Sequence, residues 1–202
     1  MSEITAQGLL PAEHRALREL HATARAVRSH WRKLAHRLGG APEMFLSEGA
    51  TTAGELLTEL KARIGDEHDL HGQPAAQGVG ARLAGARGVS DLLMERNQAF
   101  RTALLDLQHV TTLLGYLAAL ARTRGDAGLA AWHEDWERRL RALEDRGRAA
   151  AAALAADPQD AIAPADDGTL GRAGAKLGAA VGTLGEAIDS SALGRFARRR
   201  AT

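Results

Sequence analysis

Cysteine is absent from the chain. Disulfides, thiolate nucleophiles and zinc sites built on Cys are therefore excluded. Strand-forming residues are nearly as scarce: 5 Val and 4 Ile stand among 202 residues, and aromatics make up 3%. β-Branched and aromatic side chains are what a pleated, half-buried surface needs, and no stretch alternates apolar and polar residues as such a strand does. Lysine numbers only 3 beside 23 Arg. The Arg fork suits phosphate, yet 25 acidic residues leave a net charge of +1. No single-sign field then points to nucleic acid or to a membrane surface, and the excess of Arg, Ala and Gly fits GC-rich coding. Runs of about 18–20 apolar residues, the length of a membrane span, are missing. The opening MSEITAQGLL carries an acid where a signal peptide has a positive n-region, so the expected location is the cytoplasm.

What remains is rich in Ala and Leu, which lose little on entering a helix. The sequence predicts an all-α fold, an up-and-down four-helix bundle with an additional C-terminal Gly-rich helix, built as a single domain over 1–202. The core bundle is expected over about 9–157, a linker over 158–168 and the last helix over about 169–199. The first helix should run from Pro11, suited to a first turn, to Leu38 before Gly39-Gly40. Its stripe is Glu13, Leu17, Leu20, Ala24, Val27, Trp31, Leu34 and Leu38, spaced alternately by four and three. A loop through Pro42 and Gly49 should lead to a second helix, with Thr52 as N-cap, Glu55 completing a capping box, and a stripe of Ala53, Leu57, Leu60 and Ile64. Residues 72–89 read as a Gly- and Ala-rich loop. A third helix spans about Ser90 to Arg122 with Phe100, Ala103, Leu107, Val110, Leu114, Leu117 and Ala121 inward and His109 outward. After the turn at Thr123–Asp126, a fourth returns antiparallel to about Asp157, with Leu129, Trp132, Trp136, Leu140, Leu143, Gly147, Ala150 and Leu154 inward and His133, Glu134 and Glu137 flanking.

Eight His in a helical bundle raise the question of metal. The helix count is similar to ferritin-like and haemerythrin-like bundles, which gather inward Glu and His from several helices. The inward stripes of the third and fourth helices are apolar here, so no metal or other cofactor is expected. The residues that would serve if one bound are Glu13, His14, Glu67 and His71, a carboxylate–imidazole set of ordinary ligand type. Two Arg-to-His spacings, Arg25 to His30 and Arg15 to His21, match the bare pattern of a HEPN-type ribonuclease, but 23 Arg and 8 His make such matches common. At Arg96-Asn97 the polar residue fits and the His does not follow. Gly80 and Gly85 carry P-loop spacing without its Lys and without a preceding strand.

The final segment is the feature most suggestive of function. Leu170, Leu177, Val181, Leu184 and Ile188 form an apolar stripe beside Gly171, Gly174, Gly178, Gly182 and Gly185. Each Gly costs a helix roughly 0.8–1 kcal/mol relative to Ala, so five of them imply close approach of another helix. Arg172, Lys176, Glu186 and Asp189 interrupt it and argue against a membrane. Gly174, Leu177, Gly178, Val181 and Gly182 are the expected partner-binding residues of a docking helix. The function expected is that of a non-enzymatic bundle acting through protein–protein contacts, or self-association, as adaptor, regulator or assembly subunit, with nucleic acid and membrane not expected as partners. The alternative is a metal-binding or oxygen-handling bundle.

Overall fold

The computed structural model describes residues 8–64 and 94–165. Four long helices fill nearly all of this: α1 (Pro11–Leu38), α2 (Gly40–Ile64), α3 (Arg96–Arg124) and α4 (Ala127–Ala153), with a short α5 (Pro158–Ala161) at the end. Among the described residues there is no strand, only a bridge between Glu95 and Pro164. The all-α bundle is therefore the fold.

The eight stripe residues expected of α1 are all buried. The loop expected over Pro42 to Gly49 is not there, because α2 starts at Gly40. Gly39 and Gly40 take positive φ of 61° and 60° and turn the chain within two residues, a conformation that side chains with a Cβ resist. Thr52 lies in mid-helix instead of at a cap, its hydroxyl donating to the Glu48 carbonyl at 3.0 Å. The run that resembles a loop is small for a packing reason. A Cβ on Gly49 would lie 2.2 Å from the Trp31 ring, so the indole occupies the space of the missing side chain. Leu56 takes the inward position, whereas Leu57 only packs against the margin of the core.

α3 has the expected inward residues, all buried. Gly125, at φ 86°, ends it, and the Asp126 carboxylate accepts from the Leu129 N–H at 2.9 Å to cap α4. α3 begins at Arg96, later than expected, and Ser90 to Leu93 lie outside the described residues. Past Asp157, the expected linker folds back: the Arg96 N–H donates to the Ala163 carbonyl and the Ala165 N–H to that of Met94. Ala165 is buried at the head of α3.

Cross-helix bonds fix the directions. Glu13 at the start of α1 meets Arg124 at the end of α3, while Arg96 at the start of α3 reaches the Leu38 carbonyl. Glu59 and Glu48 of α2 bond Trp132 and Arg146 of α4 in opposite order along the chain. Around the ring α1–α2–α4–α3, each helix is thus antiparallel to its neighbours. In chain order, α2 and α3 run the same way, so α2 ends at the Glu13 end of the bundle and α3 begins at the other.

An aromatic layer joins all four helices near the Leu38 end. The Phe45 ring lies 5.7 Å from that of Trp31 and 5.5 Å from that of Phe100. α4 contributes a gap: a Cβ on Gly147 would come within 2.5 Å of Phe45.

Candidate functional site

Buried polar groups are the first place to look for chemistry, because each needs a partner or a purpose. Glu13 is fully buried. Its carboxylate accepts from Arg124 Nε at 2.9 Å and Nη2 at 3.1 Å, and from the Leu10 N–H at 3.3 Å. Arg124 Nη2 also donates to Asp126 at 3.1 Å, which joins the start of α1, the end of α3 and the cap of α4. The capped Leu129 amide, with Arg124 beside it, holds the Asp126 carboxyl below its ordinary range. Glu13 is therefore committed to an ion pair. Of its expected companions, His14 is half-buried on α1, and Glu67 and His71 lie outside the described residues. No three His, Asp or Glu side chains cluster as metal ligands would, among the described residues.

Four buried polar residues depart from the apolar interior expected of α3 and α4: Asp106 and Thr111 on α3, His133 and Glu144 on α4. Asp106, 2% exposed, accepts from Trp31 Nε1 at 3.4 Å and lies 3.5 Å from His30 Nδ1. It is the only charged residue between Arg101 and Arg122, a signal the sequence offered. It sits on the flank of α3 that faces α1. His133 is fully buried and does not flank the core. Leu129, His133, Trp136 and Leu140 repeat by four and three, so His133 is on the inward axis and Trp132 sits beside it, turned to α2. Where two adjacent residues both fit a stripe, apolarity selects the Trp by eye and geometry admits both.

Among the described residues, neither ring nitrogen of His133 has a hydrogen-bond partner, and its ring stacks edge-on to Trp132 at 4.9 Å. Burial, assisted by the Arg63 charge and opposed by Asp126, pushes its pKa down to about 4. Unfolding restores the ordinary value near 6.5, so between those values the unfolded chain binds a proton that the folded one refuses. Stability is complete above pH 6.5 and falls with pH toward 4, by about 3 kcal/mol from this residue alone. Urea titrations at pH 7 and 4.5 check this: His133→Leu should lose markedly less stability between them than the parent. Parallel losses would mean that His133 finds solvent or a partner.

The HEPN-type spacings do not build a site. Arg25 is exposed while His30 turns inward to Asp106, and Arg15 is exposed while His21 is half-buried. Residues five or six apart on a helix do not share a face.

On the α2–α4 side, Glu59 accepts from the indoles of both Trp132 and Trp136, at 3.0 and 2.9 Å. The Arg139 guanidinium lies 4.6 Å over the Trp136 ring and pairs with Glu55. An open groove of about 470 Å³ runs between α1 and α2, lined by Arg28, Arg32, Thr51, Glu55, Thr58 and Glu59. Thr51 and Thr58 donate to carbonyls of their own helix, and both carboxylates are engaged from α4. The groove is a surface furrow between charged helices and lacks the enclosed, apolar character of a small-molecule site.

The outer face of α3 is different in kind. α1 shows Arg15, Glu19 and Arg25 to solvent, and α4 shows Asp135, Arg138, Arg141 and Asp145. Between Arg101 and Arg122, the exposed residues of α3 are Leu105, Gln108, His109, Thr112, Tyr116 and Ala119. Leu105 is 57% and Tyr116 49% exposed. His109 reaches Glu19 at 3.1 Å, in keeping with its expected outward position. Among the described residues, α3 is also the helix long and apolar enough to cross a membrane, but 56% of its most apolar window is buried in the bundle, and a core helix meets the same criterion.

No family model, curated protein or solved structure matches the chain. The expected partner-binding residues Gly174, Leu177, Gly178, Val181 and Gly182 lie outside the described residues.

Proposed function

We propose that this chain is a non-enzymatic helical-bundle protein that acts through protein–protein contacts, as an adaptor, regulator or assembly subunit, and that the outer face of α3 is its docking surface. The observation that carries this reading is the uncharged stripe itself. Gln98, Thr102, Leu105, His109, Thr112, Tyr116, Ala119 and Thr123 follow one another by four and three along the outside of α3. That spacing is the seam of a packed helix pair, and it occurs here on the side that the bundle leaves open. The stripe itself contains no Lys, Arg, Asp or Glu, and the carboxylate of Glu19 on α1 reaches it at His109.

Affinity capture from an extract of the native cells tests the reading. The parent protein should retain a discrete partner that a Leu105→Asp/Tyr116→Asp variant loses, with unfolding curves that agree within about 0.5 kcal/mol, as for other exposed positions. Equal capture by both proteins would remove α3 from the account. A stoichiometric iron or manganese signal in protein purified without a His-tag would favour metal chemistry instead.

A further inference from the structure

We propose that the occupant of the outer α3 face is a second copy of this chain, laid antiparallel along the stripe about a two-fold axis that passes between Val110 and Thr111. The inference rests on the docking reading for the choice of α3 and deepens it by naming the partner.

A two-fold contact brings the same patch of both copies together, so the patch must be complementary to itself. The stripe meets that condition. Leu105 and Tyr116 stand equally far from its midpoint, as do His109 and Thr112, and as do Thr102 and Ala119. Reversing one copy therefore sets Leu105 against Tyr116 twice, and these are the large apolar side chains that α3 exposes. His109 meets Thr112 between them, and the small pair Thr102 and Ala119 lies beyond. The antiparallel sense also opposes the helix dipoles, whereas a parallel pair would align them and set His109 on His109.

Charge favours a second copy over a charged partner. Identical borders repel one another when they carry unpaired charge of one sign, but the acids along this border are already engaged: Glu19 by His109, Glu134 by Arg122 and Glu137 by Arg141. Arg101 is the exception. Its Nε donates to the Asn97 carbonyl of its own helix at 3.4 Å, and among the described residues it pairs with no carboxylate. It precedes Arg122 by three heptads and so lies on the same side of α3, the side that faces α4. In the antiparallel pair it comes level with the second copy's Leu120, within a turn of the second copy's Glu134. Each copy's unpaired guanidinium thus finds a carboxylate on the other. From Gln98 to Thr123 the stripe is about 38 Å long at 1.5 Å per residue and one helix wide. A contact of that size belongs with reversible associations, not with obligate dimers.

Sedimentation equilibrium of the full-length protein, over a concentration series up to about 1 mM, is the first test. The parent should rise from the mass of a monomer to that of a dimer and stop there, while Leu105→Asp/Tyr116→Asp stays monomeric. The absence of native cysteine then lets the register be read. A disulfide forms readily only when the Cα atoms come within about 7 Å, so under mild oxidation Leu105→Cys/Tyr116→Cys should close into a covalent dimer. Leu105→Cys alone should not bridge, because its two copies stand about 16 Å apart along the pair, and the same distance prevents a bridge within one chain. Both positions are exposed, so these variants should fold; melting curves matching the parent check it. A monomer at every concentration, bridging by Leu105→Cys alone, or a ladder of longer oligomers overturns the proposal, the last two in favour of a parallel or a head-to-tail contact. A monomer in solution, with capture from cell extract still lost in Leu105→Asp/Tyr116→Asp, sinks this inference and leaves the docking reading standing on a different partner. A bridged dimer beside equal capture by parent and variant supports self-association and takes the wider adaptor role away from α3.

Discussion

Arg124→Ala is expected to lower folding stability by about 3–5 kcal/mol, the cost of leaving a buried charge without its partner. Glu13 is fully buried and has its carboxylate doubly engaged by Arg124. With the guanidinium gone, the Leu10 N–H is left on it, and the link to the α4 cap through Asp126 is lost as well. The comparison that separates desolvation from lost attraction is Glu13→Leu/Arg124→Leu. Removing both charges strands neither, so the double variant should be more stable than Arg124→Ala. Urea unfolding at neutral pH measures both. A loss below about 1 kcal/mol for Arg124→Ala would put the pair in the class of screened surface bridges, and would mean that water reaches Glu13.

Leu107→Ala and Leu114→Ala should each cost about 2–5 kcal/mol, since emptying a packed Leu site loses both transfer energy and contacts around the cavity. Leu114 is fully buried and Leu107 is 3% exposed. His109→Ala, two positions from Leu107, should cost under about 0.5 kcal/mol, because its imidazole is half in solvent and pairs with the exposed Glu19. Chemical unfolding of the three variants side by side reads the register of α3 directly. Comparable losses at His109 and Leu107 would mean a rotated helix, and would move the uncharged stripe away from the surface.

The bundle was legible where several signals agreed. α1 combines a Pro start, a paired-Gly stop and eight stripe positions in phase, and its observed ends match those predicted. α2 was legible only in its second half. Local composition around Gly49 reads as loop, and the reason for the small residues is a Trp on another helix, a tertiary fact invisible within the segment. His133 escaped for a related reason: Trp132 next to it satisfied the same period. Asp106 was visible as the lone charge between Arg101 and Arg122, but its inward-facing flank depends on the angle at which α1 crosses, and no spacing encodes that. The uncharged outer stripe of α3 could be read from the sequence only once the inward stripe was fixed, because both have the same repeat.

The order in which the helices follow one another has a consequence for assembly. α1 with α2, and α3 with α4, are two hairpins closed by turns of a few residues, and the remaining contacts between them are made side by side. Each hairpin brings together residues close in sequence, which favours rapid formation before the slower search for docking. A backbone cut between Ile64 and Met94 severs none of the bonds described above. The two halves then form a heterodimer of hairpins, held by Trp31 on Asp106, Glu13 on Arg124 and Glu59 on the paired indoles. The stability of that assembly, unlike that of the intact chain, depends on protein concentration.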